Sequence, residues 1–105
     1  MSQNSASKTI LLVEDEALLA MGTKMTLEKN GYKVTHVLHG AAAIQAVEAG
    51  KIDLILMDID LGRNKMDGTE AAEKILEKHT VPIIFHTGHS EKEMVDKVKG
   101  ITRYG

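Results

Sequence analysis

Leu54-Ile55-Leu56-Met57-Asp58-Ile59-Asp60-Leu61-Gly62 (LILMDIDLG, residues 54–62) passes from a run suited to a dry interior into two acids separated by one apolar residue, then a glycine. A carboxylate at the end of a buried strand must be held by partners or kept for chemistry, because an uncompensated buried charge is strongly unfavourable. The rest of the chain decides between these.

Three apolar runs are too short for helices and lack the alternation of a half-exposed strand: Thr9–Val13 (TILLV), Asp53–Met57 (DLILM) and Val81–Phe85 (VPIIF). Such runs read as strands covered on both faces, as in a parallel sheet. The lone proline, Pro82, stands near the start of its run, where a missing N–H is tolerated. Tyr32–Val37 (YKVTHV) mixes polar and apolar residues and reads as an edge strand.

Segments with helical spacing lie between these runs. Ala17–Lys29 carries Leu18, Met21 and Met25 on one face, read as its core face, and closes at Asn30-Gly31, a left-handed stop. Ala41–Ala49 lies between Gly40 and Gly50. Thr69–His79 follows Asp67-Gly68, with Glu70 three residues after Asp67 as in a capping box, and Ser90 with Glu93 opens a last helix ending near Gly100. The strict β-α alternation implies a parallel sheet with right-handed crossovers and helices on both faces.

At 105 residues the chain is one domain, and 43% hydrophobic with 27% charged residues is the composition of an ordinary soluble protein. No apolar run approaches the ~20 residues that span a bilayer, so no membrane role is expected. Thirteen basic residues against fifteen acidic ones leave a formal charge of −2, with the basic residues scattered, which argues against direct nucleic-acid binding. Without cysteine there is neither a disulfide framework nor a thiolate metal site, and no secretory signal opens the chain, so a cytoplasmic location is the default. Met1–Ser7 (MSQNSAS) reads as a disordered leader.

In open parallel sheets the functional crevice lies beyond the carboxyl ends of the strands. Strand one runs into Glu14-Asp15-Glu16, strand three into Asp58-Ile59-Asp60, and strand four into His86-Thr87-Gly88. If strands one and three are neighbours, Asp15 and Asp58 meet in space. Clustered carboxylates repel and have raised pKa values unless a cation sits among them. A hard ion such as Mg²⁺, held by one or two carboxylates and waters, usually shares its sphere with a phosphate oxygen. A carboxylate can itself be the nucleophile and become an aspartyl phosphate if the developing charge is neutralised. Thr87 offers a hydroxyl on the adjacent strand. The plainer use of Asp15 is to cap the first helix. The five histidines, His36, His39, His79, His86 and His89, match no zinc spacing and read as surface or strand-packing residues, although His86 and His89 flank Thr87 closely enough to tune the pocket.

Taken together, Glu14-Asp15 after strand one, the apolar run ending at Asp58, the Met66-Asp67-Gly68 turn and Thr87 closing strand four resemble a response-regulator receiver domain. The resemblance spans residues 8–105. It implies a flavodoxin-like (CheY-like) doubly wound α/β fold, strand order 2-1-3-4-5. It implies Asp58 as phosphoacceptor, Asp15 as a direct Mg²⁺ ligand, Glu14 acting mostly through water, Asp60 offering its backbone carbonyl to the metal, and Thr87 as the switch hydroxyl. The partner implied is a histidine kinase or phosphotransfer domain, and the domain is a switch rather than an enzyme, catalysing only its own phosphorylation and dephosphorylation.

Three departures stand beside this. Glu14 occupies a position where Asp is commoner, and the loop from Asp58 to Gly68 is longer than usual and lacks a proline. The sequence stops at Tyr104-Gly105, where a receiver's fifth strand begins, so the fifth strand with its aromatic and lysine, and the last helix, are missing. On that basis Val81–Phe85 becomes a sheet edge, the first helix loses its neighbouring helix, and the chain self-associates through strand 81–85 or is marginally folded, and phosphorylates poorly; the alternative is a longer protein cut short. Two other functions compete. One is a pseudo-receiver that only binds partners. The other is a haloacid-dehalogenase phosphatase using Asp58-Ile59-Asp60, disfavoured because that motif belongs on the first strand and here Leu61-Gly62 follow it. A calcium loop fails for want of a glutamate at its twelfth position.

Overall fold

The computed structural model describes residues 8–59, 68–86 and 91–102. Within them four strands and four helices alternate: β1 (Thr9–Val13), α1 (Ala17–Lys29), β2 (Lys33–Val37), α2 (Gly40–Ala49), β3 (Leu54–Asp58), α3 (Gly68–Lys78), β4 (Ile83–His86) and α4 (Glu91–Thr102). The strands form one parallel sheet in the order β2-β1-β3-β4. Leu12 is in register with His36 on one side and Leu56 on the other, and Leu56 with Ile84. All five residues of β3 are buried, because layers of side chains cover both faces of a central parallel strand. The mixed composition of β2 matches its place at the edge.

Alternation along the strands divides the core into two layers. Ile10, Leu12, Leu54, Leu56 and Ile84 pack with Ala20 and Leu27 of α1 and with Met94, Val95 and Val98 of α4. Leu11, Val13, Ile55 and Met57 pack with Ala43 and Val47 of α2 and with Ala71 and Ile75 of α3. α4 therefore lies on the same face as α1, and its end is tied to the connection between α1 and β2 by a 2.8 Å hydrogen bond between the Tyr32 and Thr102 hydroxyls. This corrects the expectation that α1 has no helix beside it: the stripe Met94-Val95-Val98 covers the Leu56–Ile84 row next to α1. β4 ends the described sheet, as expected, with Phe85 exposed.

The inward face of α1 also differs from the sequence reading. Leu18, Met21 and Met25 are 83%, 57% and 54% exposed, whereas Ala20, Thr23 and Leu27 are buried. Both triplets have helical spacing. Small side chains at 20 and 23 let the helix approach the sheet closely, and Leu27 alone supplies the large apolar anchor. The N-cap of α1 is Glu16, with no side-chain cap, so the capping role considered for Asp15 is not used. Its C-terminus is as expected: Asn30 and Gly31 donate to the Leu27 and Glu28 carbonyls, and Gly31 has φ 94°, in the left-handed region that favours glycine.

Two boundaries moved for identifiable reasons. β4 starts at Ile83 rather than Val81, because Pro82 has no N–H to give; its carbonyl still accepts from the Ile55 N–H at 2.9 Å. α2 begins at Gly40, one residue before the expected start, and is capped by His39, whose Nδ1 accepts from the Ala42 N–H at 3.2 Å. The caps expected at Asp67 and Ser90, and the leader Met1–Ser7, lie outside the described residues.

The two faces of α1 make opposite predictions. Leu27→Ala should cost about 2–5 kcal/mol of unfolding free energy, and Met25→Ala should stay within about 0.5 kcal/mol of the parent. Urea denaturation followed by far-UV circular dichroism reads both, and equal losses would mean that the packing of α1 is misassigned.

Candidate functional site

The carboxyl ends of β1, β3 and β4 stop at one height. Val13 and Met57 are the last pair between β1 and β3, and Asp58 is in register with His86 of β4. Glu14, Asp58 and His86 therefore form the next row after Leu12–Leu56–Ile84, on the face that carries α1 and α4. Each offers a carboxylate oxygen or ring nitrogen lying within 4.8 Å of the other two. All three are buried, with 3%, 8% and 3% of their surface exposed.

Main-chain hydrogen bonds hold the row in place. The Glu14 N–H donates to the Val37 carbonyl at 3.1 Å, and the Glu14 carbonyl accepts from His36 Nε2 at 2.8 Å. The Ile59 N–H donates to the His86 carbonyl at 3.0 Å, joining the ends of β3 and β4. On the far side, the Gly68 N–H donates to the Ile59 carbonyl at 3.1 Å, so α3 starts directly against the strand that carries Asp58. A Cβ at Gly68 would overlap the Asp58 carbonyl oxygen and lie 3.0 Å from the Asp58 carbonyl carbon. Only glycine allows that approach.

Electrostatics single out Glu14. Burial pushes its carboxyl up from 4.5 to about 7; the Asp58 charge and hydrogen bonds with the side chains of Asp58 and Asp15 push the same way. The Glu16 N–H, 3.0 Å from Glu14 Oε2, opposes them only in part. The pair thus tends to hold a proton where a positive charge would serve better. Two buried carboxylates with an imidazole nitrogen beside them form a donor set that fits a divalent ion.

The sequence of residues 10–103 matches the response regulator receiver domain. The chain belongs to that family. It is 32% identical to the transcriptional regulatory protein PdtaR of Mycobacterium tuberculosis over 88% of its own length and 44% of that protein. It therefore spans less than half of that curated relative. Among solved structures, the N-terminal domain of a response regulator/sensory box/GGDEF three-domain protein from Carboxydothermus hydrogenoformans superimposes with TM-score 0.84 at 32% identity, over 92% of this chain and 95% of that one. The response regulator TrrA from Thermotoga maritima, solved in complex with Mg²⁺-BeF, gives TM-score 0.71 at 30% identity over 83% and 75%. The fold is thus the flavodoxin-like receiver fold, and the receiver family is one of signalling regulators of two-component systems rather than of enzymes. The phosphatase alternative falls with this assignment: Asp58 stands on the third strand, not the first.

Of the residues singled out in the receiver, Asp58 and Glu14 come together. Asp15 is exposed and is not one of the three residues whose ligand atoms converge. Burial is therefore deeper at Glu14 than at Asp15. Asp60, Thr87 and His89 lie outside the described residues. His86 is buried at the end of its strand, against both acids. The signal was present in the sequence, because the runs ending at Asp58 and His86 end level if β3 and β4 are neighbours. Among the described residues no helix is long and apolar enough to cross a membrane.

Two predictions follow from this geometry. Gly68→Ala must displace the Asp58 main chain and should destabilise the protein by about 1–3 kcal/mol, read by urea denaturation. In metal-free buffer the native state binds more protons than the unfolded chain wherever Glu14 is protonated only when folded. Stability should therefore be highest below about pH 4.5 as far as Glu14 is concerned. It should fall as pH rises to about 7, by up to roughly 3 kcal/mol. Glu14→Gln should flatten that slope; an unchanged slope would contradict the assignment.

Proposed function

We propose that this chain is the phosphoacceptor module of a two-component phosphorelay and that Asp58 takes a phosphoryl group from a histidine kinase or phosphotransfer domain. The receiver assigned here spans residues 8–105. The observation that carries the reading is the pair of buried carboxylates, Glu14 and Asp58, brought within 4.8 Å at the ends of neighbouring parallel strands. An acid pair so placed raises the energy of its own ionised form, and a phosphoryl donor arriving with a cation relieves it.

In the transfer, an Asp58 carboxylate oxygen attacks phosphorus, the bond from phosphorus to the donor's imidazole nitrogen breaks, and the nitrogen keeps that electron pair and takes up a proton. The product is an aspartyl phosphate. Asp58, Glu14, Asp15 beside it and the Asp60 backbone carbonyl are the groups assigned to hold Mg²⁺, which when bound neutralises the charge gathering on the transferring oxygens. Glu14 serves this chemistry by losing its proton. Gly68 serves it by leaving the Asp58 main chain in place. Thr87 is assigned the switch: its hydroxyl moves toward the new phosphoryl group and the surface beside it follows. The state of Asp58 is then read by partners, in the cytoplasm where phosphorylated kinases are found.

Intact-mass spectrometry after incubation with a small acyl phosphate and Mg²⁺ tests this. The expected result is one added phosphoryl group, absent in Asp58→Asn and absent with chelator. Turnover of a phosphate ester would point to a phosphatase, and no Mg²⁺-dependent change would leave an interaction module that does not accept phosphate. Either result overturns the proposal.

A further inference from the structure

The acid pocket contains one side chain to which neither the receiver resemblance nor the phosphoryl chemistry gives work. His86 ends β4 in register with Asp58, is 3% exposed, and offers a ring nitrogen within 4.8 Å of both the Glu14 and the Asp58 carboxylates. Its main chain is fixed by the hydrogen bond from the Ile59 N–H. The nitrogen is thus brought to the carboxylates by the sheet itself rather than by a loop, and sites built on strands hold their geometry well.

Ligand chemistry gives this arrangement a consequence. Mg²⁺ is a hard ion that prefers oxygen donors and keeps several waters, so an imidazole adds little to its binding. Imidazole is a good donor for the later first-row dications, whose affinity for mixed nitrogen and oxygen sites rises along the series from manganese to copper. Resting on the reading that Glu14 and Asp58 form the divalent-ion pocket, we propose that His86 is a third ligand, making the pocket a carboxylate–imidazole site that takes a transition-metal dication of the cobalt and zinc class in preference to Mg²⁺. The ion that supports phosphoryl transfer is then set by this nitrogen, and the response of the domain depends on which dication occupies the pocket. The competing explanation is an ion pair, with His86 as an imidazolium that itself neutralises the two acids. It makes the opposite prediction, because removing the imidazolium frees the acids for any cation.

Isothermal titration of the wild-type chain, His86→Leu, His86→Gln and Asp58→Asn with MgCl₂ and with CoCl₂ separates these, with circular dichroism confirming that each variant is folded. Wild type should bind Co²⁺ more tightly than Mg²⁺. His86→Leu and His86→Gln should weaken Co²⁺ binding about tenfold or more while Mg²⁺ binding stays within about twofold. The visible absorption of bound Co²⁺ should change in the same variants. Unchanged Co²⁺ affinity, equal loss for both ions, or a gain in affinity for both would overturn the proposal; a gain would identify the ion pair. If neither His86 variant folds, imidazole nitrogen NMR of the wild type gives the same answer. The His86 ring nitrogen should shift on adding Zn²⁺ and not on adding Mg²⁺, and equal responses would overturn the assignment. Co²⁺ binding that survives in Asp58→Asn, or is absent from wild type, would sink the pocket itself. Mg²⁺ binding that needs Asp58 but ignores His86, with Co²⁺ doing the same, would sink only the role of His86.

Discussion

Parallel pairing of β1, β3 and β4 in one register is the constraint from which the site follows. β1 and β3 are short, apolar and covered on both faces, so a slip by one residue would exchange the layer facing α1 and α4 with the layer facing α2 and α3. The register that buries Leu12, Leu56 and Ile84 as one row also sets Glu14, Asp58 and His86 as the next. The polar row cannot be moved without unpacking the apolar row below it. Hydrophobic burial, which has no directional preference of its own, thereby fixes the position of three groups whose chemistry depends on it.

That arrangement has an energetic cost concentrated at Glu14. Burial and the proximity of Asp58 raise its carboxyl to about 7, while a single main-chain N–H from Glu16 favours its ionised form. A group held in this condition responds strongly to any positive charge that arrives nearby. The surrounding main chain is tied by hydrogen bonds from Glu14, Ile59 and Gly68, so the response falls on charge and protonation rather than on the backbone. Gly68 completes the frame by letting the first turn of α3 rest against Asp58 without an intervening side chain.

Much of this was legible in the sequence because both the sheet and the site reside in short local patterns. TILLV and the run ending at Asp58 identify the two central strands, and Asn30-Gly31 marks a helix end that the chain uses as read. The inward face of α1 was not legible, because Leu18-Met21-Met25 and Ala20-Thr23-Leu27 share one spacing, and choosing by hydrophobicity overlooks that a helix close to a sheet favours small residues. The side of the sheet taken by α4 depends on which layer is left uncovered, which no local pattern states. The burial of His86 against the two acids comes from the pairing of β3 with β4, a contact between distant parts of the chain.

The central claim is that Glu14 and Asp58 form one electrostatic unit whose charge a bound cation would stabilise. The most direct measurement is the carbon-13 resonance of the Glu14 carboxyl followed against pH, first in metal-free buffer and then with Mg²⁺. The account predicts a midpoint near 7 without metal and a large downward displacement with it. An ordinary glutamate midpoint that ignores Mg²⁺ would contradict it.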